Sequence, residues 1–448
     1  MGKNVLLLNT PFYRLMGSHY NGLSLGILYI AAVLRDGGHQ VAVLNADYEN
    51  RNDYLDQAGI FKGYGMYREI HATPDHYIWD ETVKEILDRD PDYLGITMYT
   101  ANYKAARIIA GKVKSVNPDI KIVAGGVHPT LATMETLSSK EFDFAVVGEG
   151  EYVMLSLVNG ESVAGIPDLG YRDRSGNIVI NPPGDEVINL DDVPFPAREL
   201  IISPSSATDF GQLITGRGCP FSCTFCASPA MWKRKTVRFR SVDNVMGELC
   251  LITERYPHNV IYFEDDTFAM RKNMAIDLCN RIIGSGMDIE WKCDTRADCV
   301  TEDLVALMKN AGCACIKMGV ESGSERILKS INKQVTREII RNASRIIKNQ
   351  GVSLTVYLMA GFPGETDDDL RETIKFAREL DADYFSLSIV APYFGTQIHD
   401  EYIKSGFFLD KEHWEYFYHQ SREMIMNDRL SQTVVDEFLS LNDHKTRI

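Results

Sequence analysis

The sequence predicts two successive α/β folds, a doubly wound parallel sheet and then a partial (β/α)6 barrel that ends in a short helical segment. Three observations carry that prediction. Short apolar runs alternate with helical patterns from Val5 to Val147. A proline-rich, acidic connector, Asn181-Pro-Pro-Gly184 through Asp191-Asp-Val-Pro-Phe-Pro196, then breaks the alternation. The alternation restarts at Leu213 and runs through six strand-like segments. At 448 residues the chain is long enough for two separate cores.

Taken in order, Val5-Leu-Leu-Leu8 is continuously apolar, as expected of a strand covered on both faces. A helix over Leu25–Asp36 follows, then a strand over Val41–Leu44. Tyr93–Thr97 reads as a strand, Tyr103–Val116 as a helix, and Lys121–Ala124 and Phe144–Val147 as further strands. Strands separated by helices make a parallel sheet, and such sheets bind ligands beyond the carboxyl ends of their strands. The loops at that edge are 9–22, 98–102, 125–130 and 148–151. The second series has strands over Leu213–Thr215, Val260–Phe263, Ile289–Cys293, Cys315–Gly319, Leu354–Leu358 and Tyr384–Val390. Val335, Ile339, Ala343, Ile346 and Ile347 share one face of a helix expected to pack outside those strands. Barrel chemistry also belongs at the carboxyl ends. After about residue 405 the chain is aromatic and charged, and a final helix is expected over Gln432–Leu441. The predicted bounds are 1–180 for the first domain, 181–205 for the linker, 206–400 for the barrel and 401–448 for the last segment.

Composition narrows the function. A hydrophobic fraction of 45% and a charged fraction of 24% are those of a soluble protein. With 47 basic and 62 acidic residues the net charge is −15, which disfavours nucleic acid as a partner. The one basic run, Lys233 to Arg240, reads as a solvated or anion-facing loop. The opening Met1-Gly-Lys-Asn begins no signal peptide, and the longest apolar stretch, Leu23 to Leu34, is too short to span a bilayer. Unpaired cysteines point to a reducing cytoplasm.

The most specific signal is Cys219-Pro-Phe-Ser-Cys223-Thr-Phe-Cys226, which follows Leu213-Ile-Thr-Gly-Arg-Gly218. A glycine-rich turn lets three thiolates converge. Three thiolates suit a 4Fe–4S cluster with one iron left open. A structural zinc site wants four ligands, and no fourth Cys or His follows closely. Later strand ends carry Phe263-Glu-Asp-Asp-Thr-Phe268, Asp294-Thr-Arg296, Gly319-Val-Glu-Ser-Gly-Ser324 and Gly361-Phe-Pro-Gly-Glu-Thr366. Carboxylates can receive an ammonium group, Arg296 can pair with a carboxylate, and glycines let backbone approach a nucleoside. Any one of these residues could equally be a helix cap or a rim ion pair. Their succession at one end of one barrel is the signal.

With these motifs, residues 210–400 resemble the radical SAM superfamily. The resemblance implies that Cys219, Cys223 and Cys226 hold a 4Fe–4S cluster whose open iron binds S-adenosylmethionine. Phe225 precedes the last cysteine, Glu264 and Asp265 fall where the methionine ammonium docks, and Arg296, Glu321 and Ser322 address the carboxylate and ribose. Gly361 flanks the adenine. The first half resembles the Rossmann-like cobalamin-binding domain that precedes the barrel in one radical SAM subgroup, the class B methyltransferase-like enzymes. The segments that carry this are Leu25 to His39, Gly125-Gly-Val-His-Pro-Thr130, Val147-Gly-Glu-Gly-Glu151 and the connector Leu190-Asp-Asp-Val-Pro-Phe-Pro-Ala-Arg198. The implied cobalamin-binding residues are Thr10, Pro11, Leu25, Thr97, Met98, Tyr99, Thr100, Gly125, Gly126, His128, Thr130, Gly148 and Glu149.

One departure matters. Cobalamin domains that coordinate cobalt from below use an Asp-x-His-x-x-Gly motif after the first strand. Here His19-Tyr-Asn-Gly22 is only a partial echo, so cobalt without a protein histidine is expected. The resemblance implies a C-methyltransferase that acts on an unactivated carbon through a 5′-deoxyadenosyl radical and methylcobalamin. The alternative is cyclisation, dehydration or epimerisation by an enzyme of the same build. A methylthiotransferase would need a second cysteine triad. The implied partners are a small-molecule or peptide side-chain substrate and a low-potential donor, flavodoxin or ferredoxin. Of the other cysteines, Cys250 and Cys279 are expected on helices in the core. Cys293 and Cys315 lie on barrel strands and, like Tyr357 and Tyr393, either pack or face the substrate.

Overall fold

The computed structural model describes residues 2–49, 57–202, 204, 208–232, 237–405, 418–419 and 427–442. Two compact units divide the chain, the first built mainly on Met1–Thr208 and the second mainly on the residues from Asp209 onward.

The first unit is a seven-stranded sheet of β1 (Asn4–Asn9), β2 (Gln40–Asn45), β3 (Tyr93–Thr97), β4 (Lys121–Gly125), β5 (Phe144–Val146), β6 (Leu169–Arg172) and β7 (Ile178–Ile180). Its order is β2-β1-β3-β4-β5-β6-β7, with β1 to β5 parallel. β1 is paired on both sides, Leu7 with Val43 and Gly95, and Val5 to Leu8 are buried, which accounts for their unbroken apolar run. The order reverses between β1 and β3, the switch point where such sheets bind ligands. Two features go beyond the sequence reading. Helices Gln57–His71 and Tyr77–Leu87 lie between β2 and β3, and the antiparallel hairpin β6–β7 extends the sheet. The expected linker lies within this unit. Ile202 donates its N–H to the Val43 carbonyl at 2.9 Å, Ala197 to Leu28 at 3.1 Å, and Leu190, Val193 and Ile201 are buried. It therefore covers the free edge of β2.

The second unit contains β8 (Gln212–Leu213), the antiparallel pair β9 (Gly216–Arg217) and β10 (Arg238–Phe239), then β11 (Ile261–Phe263), β12 (Trp291–Arg296), β13 (Cys313–Glu321), β14 (Ser353–Ala360) and β15 (Tyr384–Ile389). β8 and β11 to β15 form one parallel sheet in chain order, the partial barrel that was expected. β12 starts later and β13 runs further than the apolar pattern implied, so Arg296 and Glu321 are strand residues. Trp291, Cys293, Ile316, Met318, Val356 and Leu358 are fully buried, whereas Lys292, Asp294, Lys317 and Tyr357 at alternate positions are polar and half-buried.

One helix face is corrected. Thr336 caps helix Arg337–Asn349 by accepting from Ile339, so the buried stripe is Ile340, Ala343, Ser344 and Ile347. Ile339 is 39% exposed, Ile346 is half-buried, and Val335 precedes the helix. The basic run is also corrected: Arg240 is buried and pairs with Glu248, while Lys233–Thr236 lie outside the described residues. Helix Gln432–Leu439 runs into a short turn whose Asn442 accepts from Phe385 at 3.0 Å. Of the aromatic stretch Phe407 to Tyr418, only Tyr418 is described. Among the described residues no helix is long and apolar enough to cross a membrane.

Candidate functional site

In the second unit the three cysteines sit on a loop between β9 and β10, and all three are partly exposed. The loop is held at several backbone points. Thr224 donates to the Ile331 carbonyl at 3.0 Å and Ile398 to the Thr224 carbonyl at 3.1 Å. The Asn332 amide donates to the Ser222 carbonyl at 2.9 Å. Burial raises each thiol, Cys226 to about 12, and the three groups are close enough to influence one another electrostatically. Lys333 and Arg296 act the other way on Cys223. The Arg296 guanidinium lies 3.5 Å from the centre of the Phe221 ring and 4.0 Å from Cys223 Sγ. Among the described residues no three Cys, His, Asp or Glu side chains close around a single metal ion.

The strand-end residues meet around this loop, but several are engaged differently from the sequence expectation. Asp265, expected at an ammonium group, is buried and accepts from Thr215 N–H at 3.0 Å, Thr215 O–H at 2.8 Å and Gly216 N–H at 2.8 Å. It thereby fixes the turn that leads into Cys219. Burial pushes its carboxyl up to about 6 against those hydrogen bonds. Glu264 accepts from Gln212 at 2.9 Å, and burial followed by the Asp294 charge raises it to about 7. Arg296 is clamped by Asp298 at 2.9 Å and by the Lys333 carbonyl at 2.9 Å.

Glu321 is a non-glycine residue with φ 68, at a register shift in β13, and its carboxylate pairs with Lys333 at 2.8 Å. The pair lies against Gly319, where a Cβ would come within 2.6 Å of Glu321 Oε1 and 2.9 Å of Lys333 Nζ and push both side-chain ends aside. Ser322 is fully buried, with its hydroxyl 3.0 Å from that of Thr373, so it packs the strand end instead of presenting a free hydroxyl. Gly361 donates to Glu365 at 2.6 Å, its carbonyl accepts from Tyr402 at 3.0 Å, and Phe225 meets Phe362 edge-on at 5.8 Å.

In the first unit the carboxyl-end loops are knitted together. His128 donates its N–H to the Met98 carbonyl at 3.1 Å, and Thr130 donates its hydroxyl to Gly126 at 2.8 Å while accepting from Gly148 N–H at 2.9 Å. Gly126, at φ 96, is obligatory: a Cβ would sit 2.8 Å from Thr97 Oγ1 and 2.9 Å from the Met98 carbonyl. The His128 ring is buried against Tyr103, with Nδ1 3.1 Å from Thr100 Oγ1, and burial lowers it to about 3. A surface histidine is thereby excluded. Tyr99 is 63% exposed, Leu25 and Pro11 are buried, and Glu149 accepts from Val187 N–H at 3.1 Å. Gly125 faces open space, and among the described residues the buried hydroxyl of Thr10 finds no hydrogen-bond partner. His19 is buried.

Sequence reasoning missed three positioning residues. Asp47 accepts from the N–H groups of Phe12, Tyr13 and Arg14 at 2.8–3.0 Å and so holds the loop after β1. Asn332 and Lys333 brace the cysteine loop. Asp47 carried no signal beyond its place after β2. For Asn332-Lys333-Gln334 the signal was local, since two polar residues there take positive φ. The remaining candidates resolve plainly. Cys279, Cys293 and Cys315 are buried, Cys250 is half-buried, the Tyr393 hydroxyl is 3.2 Å from His419, and the Tyr357 hydroxyl donates to Asp294 at 2.7 Å.

Comparison with known proteins places two family models on the chain, the radical SAM superfamily over residues 213–377 and the B12 binding domain over residues 18–158. An uncharacterised methyltransferase of Pyrococcus horikoshii is 31% identical over 436 residues, covering 96% of this chain and 85% of that protein. An anaerobic magnesium-protoporphyrin IX monomethyl ester cyclase of Rubrivivax gelatinosus is 27% identical over 362 residues, covering 75% of this chain and 63% of the cyclase. Among solved structures, the radical S-adenosylmethionine methyltransferase TsrM of Kitasatospora setae, with cobalamin and a 4Fe–4S cluster bound, has a TM-score of 0.71 at 17% identity. The match covers 99% of this chain and 90% of TsrM, a likeness of fold.

Proposed function

This chain belongs to the radical SAM family that carries an amino-terminal cobalamin-binding domain, and from that premise we propose that it methylates an unactivated carbon of a small molecule or a peptide side chain. It is an enzyme whose cofactors are a 4Fe–4S cluster, S-adenosylmethionine and cobalamin. The observation that supports the methylation reading is the near full-length match to the uncharacterised methyltransferase of Pyrococcus horikoshii, with both domain models on this chain.

The residues present fit these groups. The donor set for the cluster is three thiols on one braced loop, with two cations, Arg296 and Lys333, beside Cys223 to offset thiolate charge. For the corrinoid, the unpartnered Thr10 hydroxyl and the open space at Gly125 lie on loops at the ligand-binding edge of the first sheet. Cys219, Cys223 and Cys226 would hold the cluster. The loops at Thr10, Met98, Gly125 and Gly148 would hold the corrinoid. When bound, the cluster supplies the electron that opens S-adenosylmethionine to a 5′-deoxyadenosyl radical, and the corrinoid carries the methyl group.

The chain's own contribution is orientation and charge. Asp265 fixes the approach to the cysteine loop. Arg296, held by Asp298 and stacked on Phe221, keeps a positive charge beside the thiolates. Lys333 and Glu321 neutralise one another inside the unit, so only if both turn together, Glu321 to the methionine ammonium and Lys333 to its carboxylate, is neither left as a lone buried charge. A flavodoxin or ferredoxin of the cytoplasm would serve as reductant.

The cyclase relative carries a second reading, radical chemistry without methylation. Anaerobic turnover of the loaded enzyme on its substrate, with S-adenosylmethionine and a reductant, separates them. Methylation yields S-adenosylhomocysteine and 5′-deoxyadenosine in comparable amounts and a product heavier by one methylene. Deoxyadenosine without homocysteine product refutes the methylation reading in favour of the second. Neither product refutes both.

A further inference from the structure

Resting on that reading, we infer that Glu365 is a positioning residue for S-adenosylmethionine: its carboxyl fastens the Gly361–Phe362 turn to the apolar cluster that carries the cysteine loop, and it does so as a neutral acid.

The turn follows β14, and its polar backbone atoms are taken. Glu365 Oε2 accepts from the Gly361 N–H at 2.6 Å and from the Phe362 N–H at 3.2 Å. The Gly361 carbonyl accepts from Tyr402 at 3.0 Å, and the Phe362 carbonyl from the Asn427 amide at 2.9 Å. Phe362 is thereby held, with its ring fully buried in a cluster with Ile327, Ile331, Val390, Ile398 and Tyr402. The cysteine loop rests on that cluster at three points. Phe225 meets Phe362 edge-on, Thr224 donates its N–H to the Ile331 carbonyl, and Ile398 donates to the Thr224 carbonyl. Thr224 and Phe225 stand between Cys223 and Cys226 in the chain. The turn expected to flank the adenine and the loop expected to hold the cluster therefore share one support, and Glu365 pins the turn to it.

The surroundings decide the charge on Glu365. Its side chain is fully buried, and Oε1 finds no hydrogen-bond partner among the described residues. Asp369, on helix Asp367–Glu379, favours the protonated form. Arg326, on helix Glu325–Ser330, opposes it but is itself paired with Asp369. Tyr402, on helix Gln397–Lys404, also faces the carboxyl, and burial holds its phenol above the usual range. Burial dominates and pushes the Glu365 carboxyl up to about 8. The proton then resides on Oε1, while Oε2 keeps both N–H groups. Ionisation sets an unpaired charge in apolar surroundings, a cost that works against the turn. The folded value lies above the ordinary one, so the gain from the proton is complete at low pH and is lost as pH rises through about 8.

The test uses the enzyme loaded with cluster and cobalamin, without reductant, and measures S-adenosylmethionine binding by equilibrium dialysis from pH about 6 to about 9. Glu365→Gln, a neutral amide of the same shape, should bind within about threefold of wild type near pH 7 and lack the Glu365 transition. The amino group of S-adenosylmethionine titrates in the same range, so the ratio of the two proteins is read at each pH. That ratio should move against wild type by up to about tenfold per pH unit above about 8. Glu365→Ala, which leaves two buried N–H groups unmet, should weaken binding by about tenfold or more at every pH while the irons stay bound. Iron content and circular dichroism check that the variants are folded. A ratio that stays flat across the range overturns the proposal even where Glu365→Ala fails to fold, and so does Glu365→Gln binding as weakly as Glu365→Ala. Wild type that holds its cluster but binds no S-adenosylmethionine at any pH overturns the enzymatic reading as well.

Discussion

Asp265 offers the sharpest test of how this chain positions its cysteines. In wild type its carboxylate takes two backbone N–H groups and one hydroxyl from Thr215 and Gly216, four residues or fewer ahead of Cys219. Replacement by alanine leaves two buried N–H donors unmet, each worth about 1–3 kcal/mol, so roughly 2–6 kcal/mol in all. Replacement by asparagine keeps one acceptor oxygen in place. Both variants remove the charge, whose burial raises the carboxyl from 3.8 to about 6. At about 1.4 kcal/mol per unit, that shift costs the wild type about 3 kcal/mol near neutral pH. The difference between Asp265→Asn and Asp265→Ala therefore isolates the acceptor. The assay is iron retained per chain against a chelator, with thermal melting of the cluster-free protein. Relieved of that cost, Asp265→Asn should hold its irons and melt above wild type near neutral pH, whereas Asp265→Ala, which also loses the acceptor, should melt well below Asp265→Asn and retain less iron. The pH dependence has a definite sign. A raised folded pKa means the folded state binds the proton first, so wild type gains stability relative to Asp265→Asn as pH falls from about 6 toward 4. Equal behaviour of the two variants, or the opposite pH trend, would refute the argument.

Two further outcomes are expected. Changing Cys219, Cys223 and Cys226 together to alanine should abolish cluster absorbance and S-adenosylmethionine cleavage, and retention of about four irons per chain would contradict the ligand assignment. Corrinoid should co-purify with the protein, and His19→Ala should leave the cobalt spectrum unchanged; a shifted spectrum would make His19 the lower ligand.

What the sequence disclosed and what it hid divide along a physical line. The helices Leu25–Asp36 and Tyr103–Val116 and the strand Tyr93–Thr97 were legible to the residue, because each presents a burial period that a single window can register. The cysteine loop was legible because its chemistry is written in adjacent residues. The hairpin β6–β7 was not, since strands reading Leu-Gly-Tyr-Arg and Ile-Val-Ile are short and carry no alternation. Helix Arg337–Asn349 shows how small the margin is: several isoleucines fit two adjacent stripes, and the cap at Thr336, not the apolar count, selects the one that contains Ile340.

The strand-end carboxylates were legible as a set, but their partners were not. Asp265 reads from sequence as a ligand group, yet its lone pairs go to a turn about fifty residues away in the chain. Glu321 reads the same way, and it is balanced by Lys333, a residue with no motif at all. A sequence can announce that a charge stands at a strand end. Whether that charge meets a substrate or another residue depends on which loop the fold returns beside it. The inner face of the barrel follows the same reasoning, because its charged groups also meet residues of neighbouring strands. Asp294 is satisfied by two tyrosines, and Lys317 rests on an aromatic ring.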